Sequence, residues 1–468
     1  VDAAEPERVA WEAVEAERQR RPVLGVPPRG VMILVETVKA AEEFKPSQHA
    51  KREVFRRHRI LGTSMDRLLT ALFYELMKRL GLVDKAAAEI TRVPSVLILD
   101  PWLRAALRVA VGLNLFYRLD DTTRRALRWG VAALLSKKTH PYVGMYYWRI
   151  YEDVEGYRPR PRTLDEALEW RYLLPAWFIE RMRKLLGDEE AGRLFEALNR
   201  KPMLSVRVNT LKASVEEVVE HLRRLGKEPR VSPRVPTVVK FEGPYDFDRS
   251  PLYKAGKIII QEEASAAASL VLAPEPGMTV VDLAAAPGGK TSHMAELMRN
   301  RGIIYAFDID EARIRRMREI LRKAGVRIVR ILRRDAREAP DVLGEEIADR
   351  VMLDAPCTST GTIAKNPELR WRIRPDGLEE IVKLQREMME AAARLLKPGG
   401  RMLYSTCSLL PEENEENVKW FLERHREFRL VPLRGPYDPS PLLPGTMRAW
   451  PHRHETIGFF YALLEKRG

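Results

Sequence analysis

Thr279-Val280-Val281-Asp282-Leu283-Ala284-Ala285-Ala286-Pro287-Gly288-Gly289-Lys290-Thr291 is a strand that breaks on a turn of small residues and resumes as a helix. The apolar start is long enough for a buried strand, and a helical pattern follows over residues 291–299. Alanines and two glycines at such a turn let backbone N–H groups approach a ligand closely. The turn is not Gly-x-Gly-x-x-Gly. Despite Gly289-Lys290-Thr291, it also lacks the first glycine of a Walker A loop.

Downstream the alternation continues. Strands are expected at 303–308, 328–332, 350–354, 401–405 and 458–464, with helices at 311–324, 378–396 and 412–425 between them. Strands alternating with helices predict an α/β fold, a doubly wound and mainly parallel sheet over residues 249–468. Ligands in such sheets bind beyond the carboxyl ends of the strands. Asp308 ends the second strand, where an acid holds a ribose diol. Asp335 follows the third strand, placed for an adenine amino group, and Asp354 ends the fourth. Acids at three successive strand ends around a small-residue loop (284–290) predict a nucleoside cofactor.

Upstream, residues 164–248 read as a small α/β unit. A helical pattern covers 177–198, strands 203–209 and 238–241, and an amphipathic helix 214–225 opens on the capping pair Ser214 and Glu217. The proline-punctuated stretch 156–163 reads as a linker. Residues 1–158 carry apolar residues at helical spacing over 65–80, 103–113 and 122–135, the last with Asp120 or Asp121 as N-cap. An all-helical domain is expected.

The 468 residues carry 80 Lys and Arg against 66 Asp and Glu, a net charge of +14, which fits a polyanionic partner. No apolar run reaches the length of a membrane span, and the start lacks the pattern of a secretion signal, so a cytoplasmic protein is expected. Scarce Gln and Cys with 31% charged residues point to a thermophilic source.

Only two cysteines occur, so there is no disulfide framework. Cys357 follows the fourth strand in Asp354-Ala355-Pro356-Cys357-Thr358. Cys407 follows the fifth in Ser405-Thr406-Cys407-Ser408. Both are expected at the ligand edge of the sheet, which suits a reactive thiol better than inert packing. No Cys-x-x-Cys or nearby His completes a zinc site, and no metal is expected. A thiolate there can add to carbon 6 of a cytosine and turn carbon 5 into a nucleophile for methylation. Asp354 is placed to meet the N3 and amino edge of the ring.

These segments, with Arg207-Val208-Asn209-Thr210-Leu211-Lys212, Gln261-Glu262-Glu263-Ala264-Ser265, Gly361-Thr362-Ile363-Ala364-Lys365-Asn366-Pro367-Glu368 and Pro411-Glu412-Glu413-Asn414-Glu415, resemble the Sun-type family of RNA cytosine-5 methyltransferases over about residues 170–465. The resemblance implies a Rossmann-like class I methyltransferase domain and S-adenosyl-L-methionine as cofactor. It implies Cys407 as nucleophile and Cys357 as the residue assisting product release. Ala284, Ala285, Ala286, Pro287, Gly288, Gly289, Lys290, Asp308, Asp335 and Asp354 would form the cofactor and target-base site. Residues 164–248 resemble the RNA-gripping subdomain of that family, and residues 1–158 its NusB-like RNA-binding domain. By the same analogy Arg207, Lys212, Lys365, Arg370, Arg372, Arg374, Arg448, His452 and Arg453 face the RNA.

The partner would be rRNA or tRNA, with rRNA favoured by the NusB-like extension, and the protein a monomer. Two rival readings are a DNA cytosine-5 methyltransferase, with Cys357 as nucleophile, and a non-catalytic RNA-binding ribosome-assembly factor. The second cysteine loop argues against the first rival. The retained acids and thiols argue against the second.

Overall fold

In the computed structural model, which describes residues 5–43 and 47–468, the chain forms two units. One comprises the helical region through Asn199 together with Asn366–Arg372; the other comprises Arg200–Lys365 and Ile373–Gly468.

The helical unit is built around Pro101–Phe116, which is buried on nearly every side and so lies at the centre of its bundle. Asp100 caps its start, accepting from Trp102 N at 2.8 Å and Leu103 N at 3.1 Å, and Pro101 occupies the first turn, where no N–H is needed. Its two buried arginines are neutralised: Arg104 by Glu42, and Arg108 by Glu42 and Asp84. The 122–135 pattern is a composite. A helix Asp121–Arg125, capped by Asp120, passes through the π-turn Ala126–Gly130 into Val131–Lys138.

Part of the expected 164–248 subdomain packs with the helical unit. Residues 157–163 are non-helical as read, but Leu164–Tyr172, Ala176–Leu186 and Asp188–Asn199 remain in the helical unit. Ala167, Trp170 and Leu173 join its core, with Trp170 stacked 6.4 Å from Phe116. Amphipathic helices follow the apolar surface available to them, and a proline-rich linker does not say which surface that is.

Asn366–Arg372 is seated in this unit by two side chains. The buried Arg370 donates to Leu173 O at 2.8 Å and Asn199 Oδ1 at 2.7 Å. Burial lowers its pKa to about 9. Trp371 Nε1 donates to Lys78 O at 2.8 Å. Its ring fills the space at Gly81, where a Cβ would lie 2.3 Å from the indole.

The second unit opens with an antiparallel sheet of β1 (Leu204–Val208), β2 (Arg230–Val231), β3 (Val238–Phe241) and β4 (Ile258–Ile260), in the order β2-β3-β1-β4. The helix Val215–Arg224 packs Val218 and Leu222 into it, and Ser214 caps that helix at Glu217 N as its sequence predicts.

The large sheet contains β5 (Thr279–Asp282), β6 (Ile303–Asp308), β7 (Val329–Arg333), β8 (Ala348–Asp354), β9 (Leu396–Thr406), β10 (Phe428–Val431), β11 (Asp438–Pro439), β12 (Met447–Ala449) and β13 (Phe459–Lys466). Its order is β11-β12-β13-β9-β8-β5-β6-β7, with β10 also on β13. Pairs among β5 to β9 are parallel, and β13 returns antiparallel to β9. Alternate side chains serve opposite faces. Val281, Val351, Leu353, Met402 and Tyr404 pack under Leu378–Leu395 and Glu415–Arg424. Val280, Met352 and Leu403 pack under Glu263–Leu272 and Gly289–Leu297. Strand order reverses between β5 and β8, the crevice where an α/β sheet takes its ligand.

Candidate active site

The turn after β5 begins that crevice. Gly288 has φ +102°, and a Cβ there would lie 2.8 Å from Met317 Cγ, so only glycine suits the position. Ala286 N donates to Asp308 Oδ2 at 3.2 Å, which ties the turn to the end of β6. Asp308 is nearly buried, and its other oxygen accepts from Asp310 N at 3.0 Å. Asp335 caps a short turn beyond β7. Its carboxylate sits below the usual range through hydrogen bonds from Arg337, at 3.0 and 2.7 Å. Small residues, exposed-edge backbone and an acid at the next strand end fit a nucleoside-bearing cofactor.

At the end of β8, Asp354 accepts from Ser405 Oγ at 3.0 Å and pairs with Lys290 Nζ at 2.6 Å. Lys290 also donates to Ser265 Oγ at 2.7 Å. The helix-start lysine thus lies inside the site and joins the cofactor turn to Asp354. Asp282 lies behind them, fully buried with Thr291 Oγ1 at 2.8 Å. Burial raises its pKa to about 7.

Cys357 and Cys407, both half-buried, face each other with sulfurs 3.4 Å apart. Ser359, in a left-handed conformation at φ +59°, places its Oγ 3.5 Å from Cys407 Sγ and 3.8 Å from Cys357 Sγ. The two thiols are electrostatically unequal. The hydrogen bond from Cys357 lowers the Cys407 pKa, helped by Ser359 and Lys290 and opposed by burial and Asp354. The same pairing, with burial, pushes Cys357 far up. The first proton therefore leaves the pair as a Cys407 thiolate.

Glu413 holds the two loops together. Its carboxylate accepts from Thr358 N at 2.8 Å, Thr358 Oγ1 at 2.7 Å, Gln385 Nε2 at 3.1 Å and Ser408 Oγ. Gly361 N donates to Cys407 O at 2.8 Å, and a Cβ on Gly361 would lie 2.7 Å from that oxygen. Ser359, Glu413 and Gln385 were not expected in the site. Glu413 sits in the Pro-Glu-Glu-Asn-Glu segment, but sequence alone reads its carboxylate as a solvated helix start.

A family model for 16S rRNA methyltransferase RsmB/F matches residues 269–465, and one for its ferredoxin-like domain matches 174–248. Ribosomal RNA small subunit methyltransferase B of Salmonella paratyphi B is 33% identical, over 64% of this chain and 67% of its own. A probable counterpart from Synechocystis is 33% identical over 64% and 68%. The chain belongs to the RsmB/F family. Among solved structures, PH0851 is 56% identical with a TM-score of 0.86, covering 95% of this chain and all of its own. NSun6 from Pyrococcus horikoshii, determined with SFG, is 29% identical with a TM-score of 0.57, covering 62% and 97%. As an RsmB/F family member, the chain is an RNA methyltransferase with a Rossmann-like domain.

In this methyltransferase, three of the cations expected on the RNA face are internal, which corrects that reading. Arg207, fully buried, donates to Gly289 O at 2.9 Å, Ser292 Oγ at 3.0 Å and Glu296 Oε1 at 2.7 Å. Arg448 is buried in a two-pronged pair with Glu415 at 2.6 and 2.8 Å and also donates to Leu409 O. Arg370 is buried in the helical unit. Each guanidinium has a fork of donors that satisfies several internal acceptors at once. The remaining candidates reach the surface at least in part. Lys212 Nζ donates to Ala255 O and Lys323 O, Lys365 pairs with Glu262, Arg372 with Glu368 and Arg453 with Asp438. Arg374 is exposed and His452 half-buried.

Proposed function

We propose that this RNA methyltransferase transfers a methyl group from S-adenosyl-L-methionine to carbon 5 of a cytosine in rRNA. The observation that carries the reading is the pair of thiols 3.4 Å apart, on the loops after β8 and β9, with the lower pKa on Cys407. Residues 284–290, Asp308 and Asp335 would hold the cofactor, which supplies the methyl group when bound. The target base must leave its stack to reach the thiol.

Cys407 Sγ adds to carbon 6 as its S–C bond forms, and the electron pair moves through the ring to N3. Asp354, paired with Lys290, would meet the N3 and amino edge and help deliver a proton to N3 as the adduct forms. Carbon 5, now an enamine carbon, takes the methyl group. Cys357, whose thiol stays protonated far above the ordinary range, loses its proton only when the neighbouring sulfur no longer carries charge. Once Cys407 is bonded to carbon, Cys357 is free to give its proton to solvent; its thiolate then takes the carbon 5 proton, the C5–H electron pair re-forms the C5–C6 double bond, and Cys407 leaves with the S–C6 pair as a thiolate. The residues proposed for the RNA face are Lys212, Lys365, Arg372, Arg374, His452 and Arg453. Residues 1–158 are proposed as a NusB-like RNA-binding domain.

The test is to incubate wild type, Cys407→Ala and Cys357→Ala with total RNA and radiolabelled S-adenosyl-L-methionine, followed by denaturing gels and nucleoside analysis. Wild type yields 5-methylcytidine, Cys407→Ala none, and Cys357→Ala a gel-stable protein–RNA adduct. An adduct from Cys407→Ala would make Cys357 the nucleophile, as in the DNA-type reading. Label confined to tRNA would move the substrate away from rRNA, and no transfer to any RNA would leave an assembly factor.

A further inference from the structure

Cys357 and Cys407 are far apart in sequence, and the chain has no other thiol for either to meet. The sheet brings them together. β8 and β9 pair in parallel with Asp354 opposite Ser405, so the loops carrying the two cysteines leave the sheet side by side. Neighbouring strands lie about 4.8 Å apart, and a disulfide spans about 4.4–6.8 Å between Cα atoms. The loops are kept from diverging. Ala355 N donates to Ser405 O at 2.9 Å and Gly361 N to Cys407 O at 2.8 Å. Glu413 accepts from Thr358 on one loop and Ser408 on the other. The sulfurs face each other at 3.4 Å, with the Ser359 hydroxyl beside both. Both residues are half-buried, so small solutes reach them.

A thiolate is oxidised by a hydroperoxide to a sulfenic acid, and a thiol within reach condenses with it. We propose that a hydroperoxide reaching the resting site closes a reversible Cys357–Cys407 disulfide, a modification that switches the methyltransferase off. Cys407 Sγ attacks the peroxide: an S–O bond forms, the O–O bond breaks, and the departing oxygen picks up a solvent proton and leaves as an alcohol or water. Two electrons have passed from the sulfur to the peroxide. Cys407 then carries no charge, which frees Cys357 to react. Cys357 Sγ attacks the sulfenic sulfur: the S–S bond forms, the S–O bond breaks, and hydroxide takes the Cys357 proton and leaves as water. The sulfurs need only close from 3.4 Å to about 2.05 Å. A dithiol returns the two electrons and two protons. The link ties up the proposed nucleophile and its partner together, so the switch rests on the proposed function, whereas the link itself does not. A base bonded to Cys407 blocks the first step, which confines oxidation to the idle enzyme.

The experiment treats the reduced full chain, purified free of RNA, with hydrogen peroxide. The protein is then denatured, its free thiols are capped with iodoacetamide, and its peptides are mapped without reduction. Wild type is expected to lose both capping sites to one linked peptide pair holding Cys357 and Cys407, lighter by two hydrogens. Methylation of total RNA is lost in parallel, and dithiothreitol restores both thiols and activity. Cys357→Ala has no resolving thiol, so its Cys407 climbs to a sulfinic acid that dithiothreitol does not reduce. Two capped cysteines in peroxide-treated wild type overturn the inference. So does a wild-type Cys407 sulfinic acid without the link, or a link found only between chains on a non-reducing gel. The two proposals fail separately. Methylation by a reduced protein that peroxide never links sinks the disulfide alone. A link that closes in a protein transferring no methyl group sinks the proposed activity and leaves the link standing. A linked protein that still methylates overturns the switch and removes both thiols from the reaction.

Discussion

Two thiols of the same type become chemically different because of where their hydrogen bonds come from. Cys407 receives from Cys357 and lies beside Ser359 Oγ and near Lys290, while Cys357 gives its proton and feels Glu413. Asp282 is a second case of environment setting charge. Its folded pKa of about 7 lies above the usual carboxylate value, chiefly through burial. A raised folded pKa stabilises the fold fully below the unfolded pKa, near 4. That contribution is lost as pH rises, because the unfolded chain releases its proton first. Wild type should therefore lose stability between about pH 4 and pH 7. Asp282→Asn keeps an acceptor for Thr291 and removes the ionisation. Its stability relative to wild type, followed by chemical denaturation, should rise across that window. A difference that stays flat with pH would mean that Asp282 is ionised in the fold.

At the scale of elements, the two sheets of the second unit are joined by a buried charge. Arg207 stands on β1, yet all its partners but Gln261 belong to Gly289–Leu297, the helix that follows the cofactor turn, from its first residue to its last turn. Replacing one member of a buried pair leaves the other unpaired and typically costs about 3–5 kcal/mol. Arg207→Ala should lose stability on that scale in denaturant unfolding and raise the KM for S-adenosyl-L-methionine. RNA affinity of the folded fraction should hold. An Arg207→Ala protein that is fully stable but binds RNA poorly would return Arg207 to the RNA face. Lysine is a poor substitute, because one ammonium does not reproduce a fork that reaches three acceptors on one helix.

For the whole molecule, legibility followed locality. β5 to β9, their helices and both cysteine loops were readable because a period of two, a period of 3.6 and a glycine turn are written within a few residues. Asp308, Asp354 and the cysteines then followed from strand ends, and Lys290 from the family resemblance. The outlying strands β2, β10, β11 and β12 were too short to show a period. Arg207, Arg370 and Arg448 were misplaced because residue type reports charge, whereas burial is decided by acids distant in sequence such as Glu296 and Glu415. The left-handed Ser359 is invisible for a related reason: serine does not favour that backbone, and the loop imposes it.

The packing of 164–199 with the helical unit was not legible, because the Trp170 site beside Phe116 is a long-range match. It also bears on dissection. A fragment beginning at Arg200 keeps Trp371 and Arg370 but loses Lys78, Leu173 and Asn199. It should melt below the corresponding transition of the full chain, and deleting Asn366–Arg372 from it should recover part of the loss. Equal melting of fragment and full chain would show that this segment contributes nothing to stability.

Asn366–Arg372 has a consequence for inheritance as well. Its coding sequence lies inside that of the catalytic unit, only a few codons beyond Cys357, while its side chains were shaped against helices encoded far upstream of it. A single recombination event at the 199/200 junction would deliver a new helical unit without a matching Trp371 and Arg370. Exchange between relatives must therefore replace two separated stretches of coding sequence together, or leave a tryptophan without its glycine and a guanidinium without its carbonyls. Lineages that carry both units should inherit them as one package.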